Sequence, residues 1–364
     1  MGRWWWTVDR PTLIALFILI CIGAVLVTAS SPAVAVRIGA SPFHFIHRQH
    51  IFLVLSLFVM FIVSLQSTQN VRRIAIIGFV TSIALMTLLP FFGTDIKGAK
   101  RWINLIGISV QPSEFLKPCM AVLMAWIFHL RNQHVGFPGW RIAIGLYALV
   151  VALLLIQPDL GMTVTISATW ALQFFLAGLP FVWVIALAVG GGVGLWGAYH
   201  LFSHVHKRID NFLDPASGDN YQVEKSLEAF ASGGWLGRGP GEGKVKLQLP
   251  DSHTDFVFAV AGEEFGLIAC LIIVFIFGFI VIRGMINLRN ENDFFTMTAV
   301  AGLLAQFGIQ AIINMGVAVN LLPAKGMTLP FLSYGGSSLI AIALGMGMML
   351  ALTRRRYGSA ATKR

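Results

Sequence analysis

Apolar residues run along this chain in long unbroken stretches rather than at helix or strand spacing. Ten of them approach or exceed the ~20 residues that carry a helix across a bilayer core. They cover residues 12–28, 51–65, 74–92, 113–130, 142–156, 160–177, 179–202, 256–282, 294–322 and 334–353. The fifth and sixth are separated only by Gln157-Pro158-Asp159, a tight re-entry. Membrane β-barrels need alternating segments of about 10 residues, and continuous runs of this length do not fit them. The pattern predicts an all-α polytopic membrane protein of ten transmembrane helices. It forms a single domain over 1–364, with one large extracytoplasmic loop, about 203–255, between helices seven and eight.

Composition agrees. Hydrophobic residues make up 57% of the chain and charged residues only 12%, against about 45–50% and 25% in soluble domains. A soluble fold and a disordered chain are both excluded, since disorder needs a polar, charge-rich sequence. The net charge of +10 is therefore read first as topology, not as a nucleic-acid footprint. An even number of spans puts both termini on one side. Loops on that side carry thirteen Lys/Arg against three acids. The other side carries twelve against nine, mostly in the long loop, where charge weighs little. Both termini are expected in the cytoplasm, with the long loop outside.

Several local features add less. Ser31-Pro32-Ala33-Val34-Ala35 resembles a signal-peptidase site, but the apolar run before it is longer than most signal h-regions and is read as a retained span. Trp4-Trp5-Trp6 reads as an interfacial anchor. Cys21, Cys119 and Cys270 fall inside spans with no Cys-x-x-Cys pair, which indicates neither a disulfide framework nor a zinc site. No internal repeat is visible, so an inverted-repeat transporter is unsupported. His44, His47 and His50 share a helix face that suits an interface or, less simply, a metal.

Charges inside or beside spans carry the chemistry. Glu114 and Lys117 lie at i, i+3, where they can pair on one helix face. Pro112 and Ser113 begin that helix, so Glu114 sits in its first turn, favoured by the helix dipole. The pair reads either as functional or as a structural bridge. Asp159 either caps the sixth helix or faces a cavity. Glu263 and Glu264 point about 100° apart, so both reach a cavity only at its edge and one is expected to be structural. The loop strip Gly233-Gly234-Trp235-Leu236-Gly237-Arg238-Gly239-Pro240-Gly241-Glu242-Gly243-Lys244 fails the P-loop pattern, because Arg238 and Val245 stand where Gly and Ser/Thr belong. It is either a diphosphate cradle of backbone N–H groups or a solvated run of turns. Asp255 follows His253-Thr254 and directly precedes a span. At that boundary it is either a partly desolvated general base or a helix N-cap.

Taken together, Gly98-Ala99-Lys100-Arg101-Trp102, Gln111-Pro112-Ser113-Glu114-Phe115-Leu116-Lys117 and Gln157-Pro158-Asp159-Leu160-Gly161 resemble the SEDS (shape, elongation, division, sporulation) proteins. So do His253-Thr254-Asp255-Phe256, Gly262-Glu263-Glu264-Phe265-Gly266 and Pro330-Phe331-Leu332-Ser333-Tyr334-Gly335-Gly336-Ser337-Ser338. The likeness runs from about Thr12 to Arg356. Leu322-Pro323-Ala324-Lys325-Gly326-Met327-Thr328-Leu329-Pro330 is similar to the cell-division branch rather than the rod-elongation branch. Asp251-Ser252 departs from the Glu-Ala that many members carry before the His-Thr-Asp.

The resemblance implies a peptidoglycan glycosyltransferase that polymerises lipid II, an undecaprenyl-diphosphate-linked disaccharide peptide, into β-1,4-linked strands. The family's essential aspartate carries over to Asp255. The candidate substrate-binding set, for the diphosphate or its cavity, is Lys100, Arg101, Arg208, Glu114, Lys117, Asp159, His253, Thr254 and Ser333. A divalent cation (Mg2+ or Mn2+) bridging the diphosphate fits such chemistry, but no ligand set is readable. The implied partners are a class B penicillin-binding protein transpeptidase and other division proteins, at the septum of the bacterial inner membrane. A lipid II flippase and a non-catalytic division scaffold are the competing readings.

Overall fold

The computed structural model describes residues 2–37, 39, 41–96, 99–105, 108–134, 136–178, 181–201, 206, 210, 221–289, 291–323 and 326–354. A short helix, α1 (Gly2–Thr7), is followed by α2 (Arg10–Arg37), α3 (His44–Ser64) and α4 (Thr68–Phe92). Three short strands come next: β1 (Thr94–Ile96), β2 (Ala99–Leu105) and β3 (Ile108–Val110). Four helices follow, α5 (Pro112–Gln133), α6 (Gly139–Ile156), α7 (Leu160–Leu176) and α8 (Phe181–Leu201). The long loop carries α9 (Tyr221–Gly233) and a 3-10 turn at Val245–Leu247. The chain ends with α10 (Val257–Leu288), α11 (Phe294–Ala318) and α12 (Gly336–Leu352). Each of the ten apolar stretches is one of the long helices, α2–α8 and α10–α12. Among the described residues, seven of these have the length and hydropathy to cross a membrane.

The bundle is built inside out relative to a soluble one. Helices α5 and α11 are buried on nearly all sides. Helices α3, α4, α6 and α8 expose large apolar residues such as Val54, Phe58, Ile77, Ile144 and Val189 to the lipid. Lipid tails are as apolar as leucine, so close packing and interhelical hydrogen bonds must hold the helices together. Gly347 of α12 lies against Met60 and Val63 of α3, where a methyl group would be 2.9 Å from the Met60 carbonyl oxygen. Gln173 of α7 donates to the Ala121 carbonyl of α5 at 2.7 Å and the Thr298 carbonyl of α11 at 3.1 Å.

Several details depart from the expected boundaries. Helix α2 continues past residue 28 to Arg37, so Ser31–Ala35 is an internal helical segment with Ser31, Val34 and Ala35 buried. Residues between α4 and α5 form a three-stranded antiparallel sheet, ordered β1-β2-β3, with Asp95 paired to Lys100 and Ile103 to Val110. Trp4 docks on α3, its indole N–H donating to Ser64 Oγ at 3.0 Å, while Trp5 and Trp6 stay exposed.

Helix α10 is really two helices. Gly266 breaks it with φ 77° and ψ −179°, a region open essentially only to glycine. Phe258 and Cys270 would be about 18 Å apart along a straight helix, yet Cys270 Sγ is 4.0 Å from the Phe258 carbonyl oxygen. Residues 257–265 therefore turn sharply against residues 267–288, and the latter, about 33 Å long, are the part that spans. This bend keeps Asp255, at the head of α10, among the helix ends at the side of the bundle that bears the long loop, hereafter the loop end.

Candidate functional site at the loop end

The site is built on the turn 251–256. Asp251 has φ 53°, and its carbonyl accepts from the backbone N–H groups of Thr254 and Asp255 at 3.0 and 3.1 Å. Three other elements fix the turn. Ser333 Oγ donates to the Thr254 carbonyl at 2.5 Å and accepts from the Leu329 N–H at 2.8 Å. The Tyr334 N–H donates to the His253 carbonyl at 2.8 Å. Asn314 Nδ2, from α11, donates to the carbonyls of Asp255 (2.9 Å) and Met327 (2.6 Å). Asp255 itself is half-buried. The cap position of the helix that follows is held by Phe256, without a side-chain bond. Gly326 faces Asp255 closely, since a methyl group there would lie 3.4 Å from Asp255 Oδ2.

A polar chain leads from this turn into the bundle. Gln310 lies one helical turn before Asn314 on the same face of α11. Its Nε2 donates to the Thr328 carbonyl at 2.9 Å, and its Oε1 accepts from Lys117 Nζ at 2.7 Å. Lys117 pairs with Glu114 Oε2 at 2.8 Å, both buried. Thr328 Oγ1 and Ser338 Oγ are 2.7 Å apart. Glu114, Lys117 and Gln310 line a small, half-open cavity of about 30 Å³ together with Pro118, Phe307, Pro330, Ile342 and Met346.

Asp159 stands on the other side of Gln111. Its Oδ1 caps α7 by accepting the Met162 N–H at 3.2 Å, and its Oδ2 accepts from Gln111 Nε2 at 3.4 Å. Arg101 pairs with it at 3.8 Å and donates to the Gln157 and Pro158 carbonyls at 3.0 and 2.5 Å. Lys100, on the opposite face of β2, is exposed and donates to the Pro90 carbonyl at the end of α4 at 3.1 Å. The two cations therefore project to different sides of the hairpin. Arg208 lies outside the described residues.

Glu263 and Glu264 are both structural, where only one was expected to be. Glu263 accepts the backbone N–H groups of Lys244, Val245 and Lys246 at 2.7, 2.7 and 2.9 Å. Glu264 pairs with the buried Lys246 ammonium, which also donates to the Ala29 carbonyl at 2.9 Å. Arg238 and Gly239 N–H groups bond to the carbonyls of Glu263 and Glu264. The glycine strip is thus laced onto α10, with the amides of Arg238, Gly239 and Lys244 already bonded to it. Sequence reading missed this because the carboxylates and their partners lie 17 to 19 residues apart. It also missed Gln310 and Asn314, although amides at i, i+4 in an apolar span are a usable signal.

Among the described residues, no group of three or more His, Cys, Asp or Glu is gathered to hold a metal ion. The three histidines of α3 do not converge; His50 Nδ1 instead meets the Ile46 carbonyl at 2.8 Å. The buried ionisable side chains Glu114, Lys117, Asp159, Lys246, His253, Glu263 and Glu264 all belong to the loop end. None of the described residues places a buried charge at the terminal end.

A ten-helix membrane bundle with a polar site confined to one end defines a polytopic integral membrane protein. The chain belongs to the FtsW/RodA/SpoVE family of cell cycle proteins, whose model matches residues 10–358. It is 46% identical over 360 residues to the probable peptidoglycan glycosyltransferase FtsW of Caulobacter vibrioides, covering 99% of this chain and 92% of that one. The Haemophilus influenzae protein of the same name is 36% identical over 366 residues, covering 94% and 90%. Among solved structures, a chain from a peptidoglycan synthase complex that coordinates polymerization and crosslinking superposes with a TM-score of 0.78 at 26% identity, covering 95% and 97%. Thermus thermophilus rod shape determining protein RodA superposes at 0.70 with 25% identity, covering 95% and 96%.

Proposed function

We propose that this protein is a peptidoglycan glycosyltransferase of cell division, polymerising lipid II into β-1,4-linked glycan with Asp255 as the general base. The observation that carries the reading is the Asp255 turn. A half-buried carboxylate is fixed through its backbone by Asn314 and by the neighbouring Ser333 and Tyr334 bonds, on a chain related over its length to proteins of that name. Asp255 takes the proton of the acceptor 4-hydroxyl as that oxygen attacks the anomeric carbon of the donor sugar. The lipid diphosphate leaves from the opposite face, so the configuration inverts. Of the two hairpin cations, Arg101, pre-oriented by Asp159 and two carbonyls, supplies positive charge toward the leaving group, while Lys100 faces the other side of the hairpin. The Glu114–Lys117 pair, with Gln310, holds the 327–330 segment that flanks Asp255.

On this reading the loop end lies on the outer side of the inner membrane, both termini lie in the cytoplasm, and the protein works at the septum. The partner is a class B penicillin-binding protein that crosslinks the product, working with other division proteins. The test uses dye-labelled lipid II in vesicles holding the protein and its transpeptidase. Glycan polymer is the expected product. Leaflet transfer of labelled lipid without polymer would replace the enzyme with a flippase.

A further inference from the structure

One conspicuous group of the loop end is left unused by this mechanism. The His253 imidazole is buried and packed in a triangular three-ring cluster with Phe45 of α3 and Tyr334. Its centroid lies 4.7 Å from Phe45 (39°) and 5.3 Å from Tyr334 (39°), and Phe45 meets Tyr334 edge-on at 5.1 Å. His253 Nδ1 is buried with no hydrogen-bond partner. The same region of α3 touches the flanking turn again, where Gln49 Nε2 reaches the Ser333 carbonyl at 3.4 Å.

The charged and titratable groups around the ring are few. Asp251 and Asp255 lie on its own turn, and Arg48 of α3 acts on Tyr334. Burial holds the His253 pKa down at about 4, and Asp251 opposes this only weakly. Burial likewise raises Tyr334 against the pull of Arg48. An imidazole that stays neutral at pH 7 keeps one N–H but no charge, and is a poor diphosphate cation and a weak acid. A ring packed against two other rings that also touch each other is well suited to fix the backbone beside it.

We propose that His253 is a positioning residue for Asp255, an aromatic wedge packed at one corner of a triangle with Phe45 and Tyr334 that sets the carboxylate's place through ring packing alone. The inference rests on the reading of Asp255 as the base. It removes His253 from the groups that contact substrate and makes the outer turn of α3 part of the support of the active carboxylate.

The test measures lipid II polymerisation by the full-length chain with its transpeptidase, comparing His253→Phe, His253→Ala and Phe45→Leu with wild type. A misplacement near 1 Å can cost about 100-fold. His253→Ala and Phe45→Leu should therefore lower kcat by roughly 10- to 100-fold with KM changed less than about twofold. His253→Phe should keep kcat within about threefold, with a pH–rate profile that overlays wild type between about pH 5 and 8, where an ordinary histidine titrates. Loss of activity in His253→Phe equal to that in His253→Ala, or loss of a profile limb in that window, would overturn the proposal. Wild-type kcat in His253→Ala would do the same. If His253→Phe does not fold, Phe45→Leu decides: wild-type kcat there rejects the wedge. An Asp255→Asn arm separates the two readings. Activity in that variant defeats the base assignment, whereas an inactive Asp255→Asn beside an inactive, folded His253→Phe defeats only the wedge.

Discussion

Replacing Lys246 with methionine tests how the long loop is held. The Lys246 ammonium is nearly inaccessible and Glu264 fully so, with side-chain exposures of 5% and 0%. The ammonium bonds to Glu264 Oε1, to the Ala29 carbonyl of α2 and to the Gly241 carbonyl at 3.3 Å. Glu264 Oε2 has no hydrogen bond, so the substitution strands a buried carboxylate. Breaking a buried pair from one side costs about 3–5 kcal/mol, whereas an exposed pair is worth about 0–1. Lys246→Met is therefore expected to destabilise the protein by roughly 4 kcal/mol. Adding Glu264→Gln removes the stranded charge and should recover most of that loss. The assay is a double-mutant cycle of unfolding free energies, by titration with a denaturing detergent in mixed micelles. A single variant within about 1 kcal/mol of wild type, or no recovery in the double variant, refutes the staple. An activity loss without a stability loss would instead make Lys246 a substrate cation.

Three further outcomes follow from particular contacts. Gly266→Ala forces a methyl group to 2.4 Å from the Gly237 nitrogen and the Trp235 carbonyl oxygen at φ 77°. It should destabilise by at least about 2–3 kcal/mol in the same titration, from backbone strain alone. The charge swap Glu114→Lys with Lys117→Glu should leave polymerisation more than about tenfold below wild type. A carboxylate at 117 would face Gln310 Oε1, which Thr328 fixes, and a lysine at 114 opposes the helix dipole; full activity would make the pair an interchangeable bridge. Below the ordinary histidine pKa of 6.5, unfolded chain takes up a proton at His253 that the folded chain refuses until about pH 4. Stability contributed by this group therefore falls as pH drops through that window, by about 3 kcal/mol in full, and His253→Phe should remove that slope from unfolding measured at pH 7 and pH 4.

The ten helices were legible because lipid allows only continuous apolar runs to cross it, and no other feature of the sequence competes with that signal. What lies at the helix ends was harder to read. The sheet at 94–110 carries Trp102, Ile103, Ile108 and Val110 between glycines, a strand signal that a short interhelical loop conceals. The break at Gly266 is invisible in hydropathy, since residues on both sides are apolar. Asp255, Glu114 and Lys117 stood out because charge beside or inside a span is costly. Their connection through Gln310, Asn314 and Thr328 did not, because those bonds join residues as far as 193 positions apart and run through neutral amides that carry no charge. For the same reason the sequence could not separate the structural carboxylates, Glu263 and Glu264, from one that faces a cavity.

The central claim concerns Asp255, and the most direct measurement is glycan chain formation by Asp255→Asn. The purified variant is incubated with lipid II and its transpeptidase, and the products are resolved by gel. Asparagine keeps the size and the backbone bonds to Asn314 and Asp251 but cannot take a proton, and loss of a general base costs about 10²–10⁴-fold. Melting behaviour close to wild type, with no detectable glycan strands, is the predicted result. Strands of wild-type length formed at the wild-type rate would contradict the account.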